Sequence, residues 1–223
     1  MDEKRLNNEE NPFDEETWAQ LPELLDYLSE PVHLIVWGDE TAAQRDQQAA
    51  VLCRTLANRF DKIQFQMLPR RINYDYWPVI GVMGGTREDW QDFGVRLIGL
   101  PDGYQMTSFI TAIQAVAFRG STSEALTRIQ LAKLKEDVRL EVFVAADNEA
   151  GAMMTHPLFN MAVVSPHVRT FMVMADQFTT AVARYSINYL PHTVINGRVH
   201  IEGVVDEETI LRHMAEALNS VGS

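Results

Sequence analysis

Short apolar runs with strand-like character and longer segments with helical spacing follow one another along this chain in an order that occurs twice. In each half, a β-rich run is followed by a polar break, a segment with helical periodicity and a second β-rich run. The matching segments are Val32–Trp37 and Val138–Phe143, Thr41–Phe60 and Glu149–Val164, and Ile63–Met67 and Val168–Met172. The chain therefore contains an internal repeat of two units with the same order of elements.

Both halves then end in the same way. A proline opens a short β-rich run, at Pro78–Ile80 in the first half and at Pro191–Ile195 in the second. Val95–Asp102 aligns without a gap to Val199–Asp206, and an amphipathic helix follows each of them. The apolar stripes of these helices are Met106, Phe109, Ile110 and Ile113, and Ile210, Leu211, Met214 and Leu218. Each half is predicted to run strand, helix, strand, variable segment, proline, two strands, helix.

The halves differ just before their prolines. The second half has room for a helix over about Ala175–Tyr185, whereas the first has only Pro69–Trp77, which is too short for a helix and its turns. The first half is therefore predicted to be trimmed at this point. The aromatic residues of this stretch, Tyr74, Tyr76 and Trp77, and Trp90 farther on, are expected to pack in the core or between the halves. The alternative is an exposed recognition patch.

Two further segments complete the chain. Residues 1–30 combine an acidic lead with an amphipathic helix, and residues 118–136 are predicted to form a connecting helix capped within Ser121–Glu124. The apolar positions of the two helices are Trp18, Leu21, Leu24, Leu25 and Leu28, and Leu126, Ile129, Leu131 and Leu134. The first repeat unit then covers residues 31–117, and the second unit covers residues 137–223.

The charge balance narrows the classes of function. Nineteen Lys and Arg residues against 31 Asp and Glu residues give a formal net charge of −12, which opposes binding to nucleic acid or to anionic membranes. No apolar stretch approaches the roughly 20 residues that span a bilayer, and the N-terminus is acidic. We expect a cytoplasmic protein with a protein or peptide partner, no cofactor and no bound metal.

The chain has a single cysteine, Cys53. One thiol cannot close an intramolecular disulfide or build a cysteine-rich metal site. Cys53 falls about two turns into the first predicted helix, alongside Val51, Leu52 and Leu56, and this position favours a buried, inert thiol over a reactive one.

Three segments carry a resemblance to a known family: Asp92–Tyr104, Asp137–Val144 and Leu190–Gly197. With the order of elements, they make about Pro31–Leu218 similar to the protein disulfide oxidoreductases and to the related N-terminal domain of the alkyl hydroperoxide reductase flavoprotein. The resemblance implies an α/β fold of two tandem thioredoxin-like units, with mixed central sheets flanked by helices and an extra N-terminal helix.

The resemblance also implies where a functional site would lie. In such proteins a cis proline sits beside a redox cysteine pair and presents the backbone of the preceding residue to an extended peptide. The corresponding positions here are Trp77 with Pro78, and Leu190 with Pro191, followed by His192. The Cys-x-x-Cys motif would fall on Ala43–Asp46 in the first unit and on Asn148–Gly151 in the second, and neither stretch contains a cysteine.

Ala43, Asp46, Asn148 and Gly151 are therefore degenerate redox positions, and dithiol exchange needs two thiols that neither unit has. The leading hypothesis is a redox-inactive protein-binding or scaffold relative of the family. Two alternatives remain open at this point. One is an enzyme, acting through Cys53 with an external thiol or without any thiol, and the other is a small-ligand binder that uses the proline backbone as glutathione-binding relatives do.

Overall fold

The computed structural model describes residues 11–39, 41 and 43–219. The first ten residues of the predicted acidic lead lie outside the described residues. The elements along the described chain are α1 (Glu15–Leu25), β1 (Val32–Gly38), α2 (Gln44–Arg59), β2 (Ile63–Pro69), β3 (Val79–Gly85), β4 (Trp90–Ile98), α3 (Gln105–Ala117), α4 (Ala125–Leu131), β5 (Val138–Val144), α5 (Glu149–Val164), β6 (Val168–Met174), α6 (Thr179–Arg184), β7 (His192–Ile195), β8 (Val199–Glu202) and α7 (Glu207–Asn219).

All the described strands form one continuous sheet in the order β2-β1-β3-β4-β6-β5-β7-β8. In both units the first two strands are parallel and the later two are added antiparallel. The units join where β4 and β6 run parallel, with Val95 opposite Thr170 and Ile98 opposite Val173. The predicted pair of tandem thioredoxin-like units with an extra N-terminal helix is confirmed, and the two units share a single sheet.

The sheet is covered on both faces, so β1 is buried along its whole length and β5 is buried at every position except Arg139. On the helical face, side chains such as Leu34 and Val36 pack against Leu52 of α2, Phe109 of α3 and other buried residues of the same cluster. The opposite face, which we call the α6 face, carries a second cluster. Its members include Ile35, Trp37, Phe143, Val173 and, from α6, Ala181.

The trimmed segment of the first unit, Pro69–Trp77, contains no helix, as predicted, and its first residue ends β2. It covers part of the α6 face with aromatic side chains instead. Tyr74 lies 5.8 Å from Trp37 between ring centroids, and Tyr76 lies 4.9 Å from Phe178 of the second unit. Tyr74 and Tyr76 therefore belong to the core and to the junction between the units. Trp90 differs from the prediction, because it is exposed at the start of β4.

Three helices differ from the sequence prediction. In the connecting helix α4, Leu126 and Ile129 are exposed, and Thr127 and Leu131 are the buried residues. The buried face of α4 therefore differs from the predicted apolar face. Because α4 has only seven residues, one pair of residues four positions apart, Thr127 and Leu131, is enough to form its buried side. Its N-cap is Glu124, and no side chain makes a capping hydrogen bond there.

The other two differences concern helix length. α6 begins at Thr179, because the residues after β6 first form a turn. α1 ends at Leu25, so Leu28 is buried from the following loop while Leu24 is exposed. No helix within the described residues is long and apolar enough to cross a membrane.

Candidate functional site

The second unit brings its two predicted site segments together at the carboxyl end of β5. Because β7 runs antiparallel to β5, with His192 opposite Phe143, Leu190 and Pro191 lie beside the loop that follows β5. That loop ends at Asn148, the N-cap of α5, and the Leu190–Pro191 peptide bond is cis. The side-chain amide Nδ2 of Asn148 donates to the carbonyl oxygen of Leu190 at 3.2 Å.

A buried network of polar side chains is hydrogen-bonded to the backbone of this loop. Gln105, at the start of α3, donates from Nε2 to the carbonyl oxygens of Ala145 at 2.9 Å and Asn148 at 2.8 Å. The Oε1 atom of Gln105 accepts from Ser108, whose hydroxyl in turn accepts from Thr155. Gln105 is not among the site residues predicted from the sequence. Its only signal there is a polar residue directly before the apolar stripe of α3.

Gly151, the second degenerate position predicted for this unit from the sequence, has little space around it. A Cβ atom there would lie 2.8 Å from both Oδ1 of Asn148 and Cγ1 of Val144, and 3.0 Å from Nε2 of Gln105. Contacts this short force the neighbouring atoms to move. A side chain at residue 151 therefore needs the side chains of Asn148, Val144 and Gln105 to move.

Exposed apolar side chains occur on the segments that adjoin the β5–α5 loop. Tyr104, Met153 and Tyr189 are exposed, and Leu190 itself is half-buried. The backbone N–H of Tyr104 donates to the carbonyl oxygen of Ala146 at 2.9 Å, which holds Tyr104 beside the β5–α5 loop. Among the described residues, no hydrogen-bond acceptor is found for the N–H of Leu190.

Exposed acidic residues flank the same loop. They are Asp102, Asp147, Glu149 and Asp176. Asp176 accepts a hydrogen bond from the N–H of Ala146 at 3.3 Å. The start of α5 offers free N–H groups that would favour an anion, but these carboxylates oppose one. The electrostatics of the site therefore favour a cationic or neutral ligand.

His192 does not face an open surface, contrary to the expectation that it takes part in binding. The strand alternation of β7 directs it to the α6 face together with Val194, and it is buried. Its Nε2 lies 2.8 Å from Nδ1 of His200. Burial lowers the pKa of His192, and the neighbouring His200 lowers it further, so His192 is neutral at pH 7.

The corresponding site of the first unit is closed by an ion pair. Asp46, at the second degenerate position, is buried and accepts from the N–H of Asp39 at 2.6 Å. It also accepts from Nε and Nη2 of Arg70, at 3.0 and 2.9 Å. Arg70 comes from the trimmed segment, and its guanidinium carbon lies 5.2 Å from the ring centroid of Trp77.

The other site residues of the first unit agree with this arrangement. Ala43 is the N-cap of α2, the Trp77–Pro78 bond is cis and Pro78 is buried. A Cβ atom at Gly38 would lie 2.9 Å from Oδ2 of Asp46, so the end of β1 approaches the carboxylate closely. Arg70 of the trimmed segment thus pairs with Asp46 in the first turn of α2.

Cys53 lies inside the core of the first unit. It is completely buried in the cluster that joins α2 to the sheet. Burial raises the pKa of the Cys53 thiol far above its usual range, so the thiolate is scarce at neutral pH. Across the described residues there is also no group of three or more His, Cys, Asp or Glu side chains placed to hold a metal ion.

Two mixed βαβ–ββα units of this strand order, each with a cis proline before its antiparallel strands, define a tandem thioredoxin fold. The resemblance expected from the sequence is confirmed at the level of the fold. The N-terminal domain of alkyl hydroperoxide reductase from Enterococcus faecalis has a TM-score of 0.81 at 19% identity, over 91% of this chain and 99% of that one. A protein disulfide oxidoreductase from Aeropyrum pernix has a TM-score of 0.79 at 17% identity, over 93% and 94%.

Sequence comparison also finds a curated relative. A subunit of the alkyl hydroperoxide reductase of Pseudomonas putida is 23% identical over 194 residues, which are 86% of this chain and 35% of that protein. The chain thus spans about a third of the length of this curated relative. No family model matches the chain.

Proposed function

We propose that this chain is a redox-inactive, thioredoxin-fold protein that binds an extended segment of a partner protein along the Leu190 edge of its second unit. The main support is the state of the Leu190 backbone. Its carbonyl oxygen is held by Asn148, while its N–H has no acceptor among the described residues. An extended peptide can supply that acceptor by adding a strand-like segment.

The side chains around this edge suit the same ligand. Tyr104, Met153 and Tyr189 expose apolar surface at three positions around the β5–α5 loop. Alternate side chains of an extended peptide can bury against such surface while its backbone pairs with Leu190. The four carboxylates beside the loop favour a segment that carries Lys or Arg.

The proposed lack of redox activity rests on the number and position of thiols. A mixed-disulfide relay needs an attacking thiolate and a second thiol to resolve the intermediate. The chain has one cysteine, and it is buried with a raised pKa. An enzyme that acts through Cys53 is therefore disfavoured.

The first unit is proposed to be structural, because Asp46 and Arg70 fill the degenerate motif and Arg70 covers Trp77. A glutathione-like ligand at either proline is disfavoured for a different reason. Glutathione carries a net negative charge, and the carboxylates around the second site would repel it. We further propose a cytoplasmic location, because the single cysteine suits a reducing compartment. The net charge of −12 supports the absence of a nucleic-acid or membrane partner.

The proposal is tested by site-specific photo-crosslinking in an extract of the source cells. A photoreactive phenylalanine analogue is placed at Tyr189, and a control variant carries it at Leu126, an exposed apolar residue of α4. We expect a discrete crosslinked protein at position 189, lost when Met153 is replaced by Glu, and none at position 126. Equal crosslinking at both positions, or none at either, would contradict the proposed edge.

Redox activity is measured separately on the same preparation. We expect that the purified protein does not increase the rate at which dithiothreitol reduces insulin disulfides. Catalysis that disappears in a Cys53→Ala variant would overturn the redox-inactive assignment.

A further inference from the structure

The internal repeat draws attention to Glu141. When the two units are aligned, Glu141 in β5 is equivalent to Ile35 in β1. Both residues lie at the centre of their strands. Ile35 is an ordinary buried apolar residue, 1% exposed, whereas Glu141 is a carboxylate that is only 8% exposed. Burying a charge costs more than burying an isoleucine, so stability alone does not explain a glutamate here.

The Glu141 carboxylate is held in a fixed orientation. Its Oε1 accepts from Nη2 of Arg139 at 2.9 Å, and its Oε2 accepts from the hydroxyl of Tyr185 at 2.9 Å. Burial raises the pKa of Tyr185, and the charge of Glu141 raises it further, so this hydroxyl stays protonated and keeps donating. Each carboxylate oxygen still has a lone pair for a second donor.

Arg139 is fixed beside this carboxylate. Its guanidinium carbon lies 3.7 Å from the ring centroid of Phe171, and its side chain remains 46% exposed. Since a guanidinium has five N–H groups and a planar geometry, Arg139 can bind a second carboxylate while it holds Glu141. One positive and one negative group thus lie side by side, and both have unused hydrogen-bonding capacity.

Both groups line a cavity of about 380 Å³ on the α6 face, at the junction of the two units. Ile98, Phe143 and Val173 give it an apolar part, and the trimmed segment and α6 close its sides. At its edge, Asp75 pairs with Arg184 at 2.9 Å, and both of these side chains are exposed. The rest of the lining is largely polar, and it includes Asn73 and Asn196. Cavities of roughly this volume that contain a few fixed polar groups are common sites of small ligands.

We propose that this cavity binds a free amino acid with an apolar side chain. The ligand ammonium lies on Glu141, its carboxylate lies on Arg139, and its side chain packs on Ile98, Phe143 and Val173. The adjacent opposite charges of Arg139 and Glu141 match the adjacent opposite charges of a zwitterion, so binding buries no net charge. This site is separate from the Leu190 edge and does not depend on the proposed partner binding.

The test uses the full-length protein and the twenty amino acids, screened one at a time by thermal shift and measured by titration calorimetry. We expect at least one apolar amino acid to bind. Its amide, which lacks the carboxylate, and its N-acetyl derivative, which lacks the ammonium, are expected to bind at least about tenfold more weakly.

Variants locate the site. Glu141→Gln keeps the shape of the side chain and removes its charge, and Glu141→Ile copies the residue that the first unit has at this position. Both are expected to weaken binding at least about tenfold, whereas Glu202→Gln, at an exposed glutamate of β8 outside the cavity, is expected to leave it unchanged.

Several results would overturn the proposal. They are failure of the folded wild-type protein to bind any amino acid, equal affinity for the amide and N-acetyl derivatives, and wild-type affinity in Glu141→Gln. If either glutamate variant fails to fold by circular dichroism, the comparison of derivatives on the wild-type protein decides the outcome. Crosslinking at Tyr189 tests the partner edge independently.

Discussion

The side-chain amide of Asn148 donates to the carbonyl oxygen of Leu190 across 3.2 Å, although the two residues lie 42 positions apart in the chain. Leu190 precedes a cis proline, and Asn148 is the N-cap of α5. The bond therefore joins the two segments of the second unit that the sequence resemblance assigns to one site.

We predict that Asn148→Cys combined with Gly151→Cys gives the second unit measurable disulfide reductase activity with insulin and dithiothreitol. The start of α5 would favour the thiolate, and removing Asn148 relieves one of the close contacts at residue 151. Val144 and Gln105 must still shift, at a cost of about 1–2 kcal/mol. The matched control is Ala43→Cys with Asp46→Cys, which we expect to be inactive because Arg70 and Trp77 occupy that site. Activity in the control alone would contradict the distinction between the units.

Replacing Asp46 by Asn is expected to lower the free energy of unfolding by about 1–3 kcal/mol, as measured by urea titration. The buried carboxylate accepts hydrogen bonds from Asp39 and Arg70, and an amide can no longer accept from both with the same strength. Asp75→Asn breaks an exposed ion pair with Arg184 and should cost less than about 1 kcal/mol. Similar losses in the two variants would show that the Asp46–Arg70 pair has no special structural role.

The thiol of Cys53 is expected to be unreactive toward Ellman's reagent in the native protein and fully reactive in denaturant. Its complete burial and raised pKa both slow the reaction. Cys53→Ser should destabilise the protein by about 1–3 kcal/mol, more than Cys53→Ala, because a buried hydroxyl needs a hydrogen-bond partner in an apolar cluster. Rapid labelling at native pH would mean that α2 opens readily.

Stability is expected to fall as the pH drops below about 6.5, the ordinary pKa of histidine. Burial lowers the pKa values of His33 and His192 in the folded protein, so the unfolded chain binds protons first as the pH falls. The contribution of these two histidines to the free energy of unfolding is therefore fully present above the histidine pKa of the unfolded chain. It is lost as the pH falls below that pKa. Urea titrations between about pH 5 and pH 8 should show this slope, and His192→Gln should reduce it. A pH-independent free energy of unfolding in this window would be inconsistent with both shifts.

Much of the fold was predictable because the signals are local. The helix Glu149–Val164 occurs with the predicted bounds, and the strand starts at Val32, Ile63, Val138 and Val168 were all correct. Alternating apolar residues indicate a strand with one buried face, and apolar residues at helical spacing indicate a helix with one buried face. Both units contain the same succession of these patterns. Where a helix is short, as in α4, the pattern allowed two inward faces, and packing selected the one with Thr127 and Leu131.

The sequence by itself determined the repeated order of elements, the trimmed segment and the absence of a cysteine pair at Ala43–Asp46 and Asn148–Gly151. Tertiary structure alone decided what replaces those thiols, since Arg70 reaches Asp46 and Gln105 reaches Asn148 only through the path of loops and the packing of α3. It also turned His192 inward and opened the cavity beside Glu141. Such contacts depend on strand register and on segments far apart in the chain, which no local pattern of residues records.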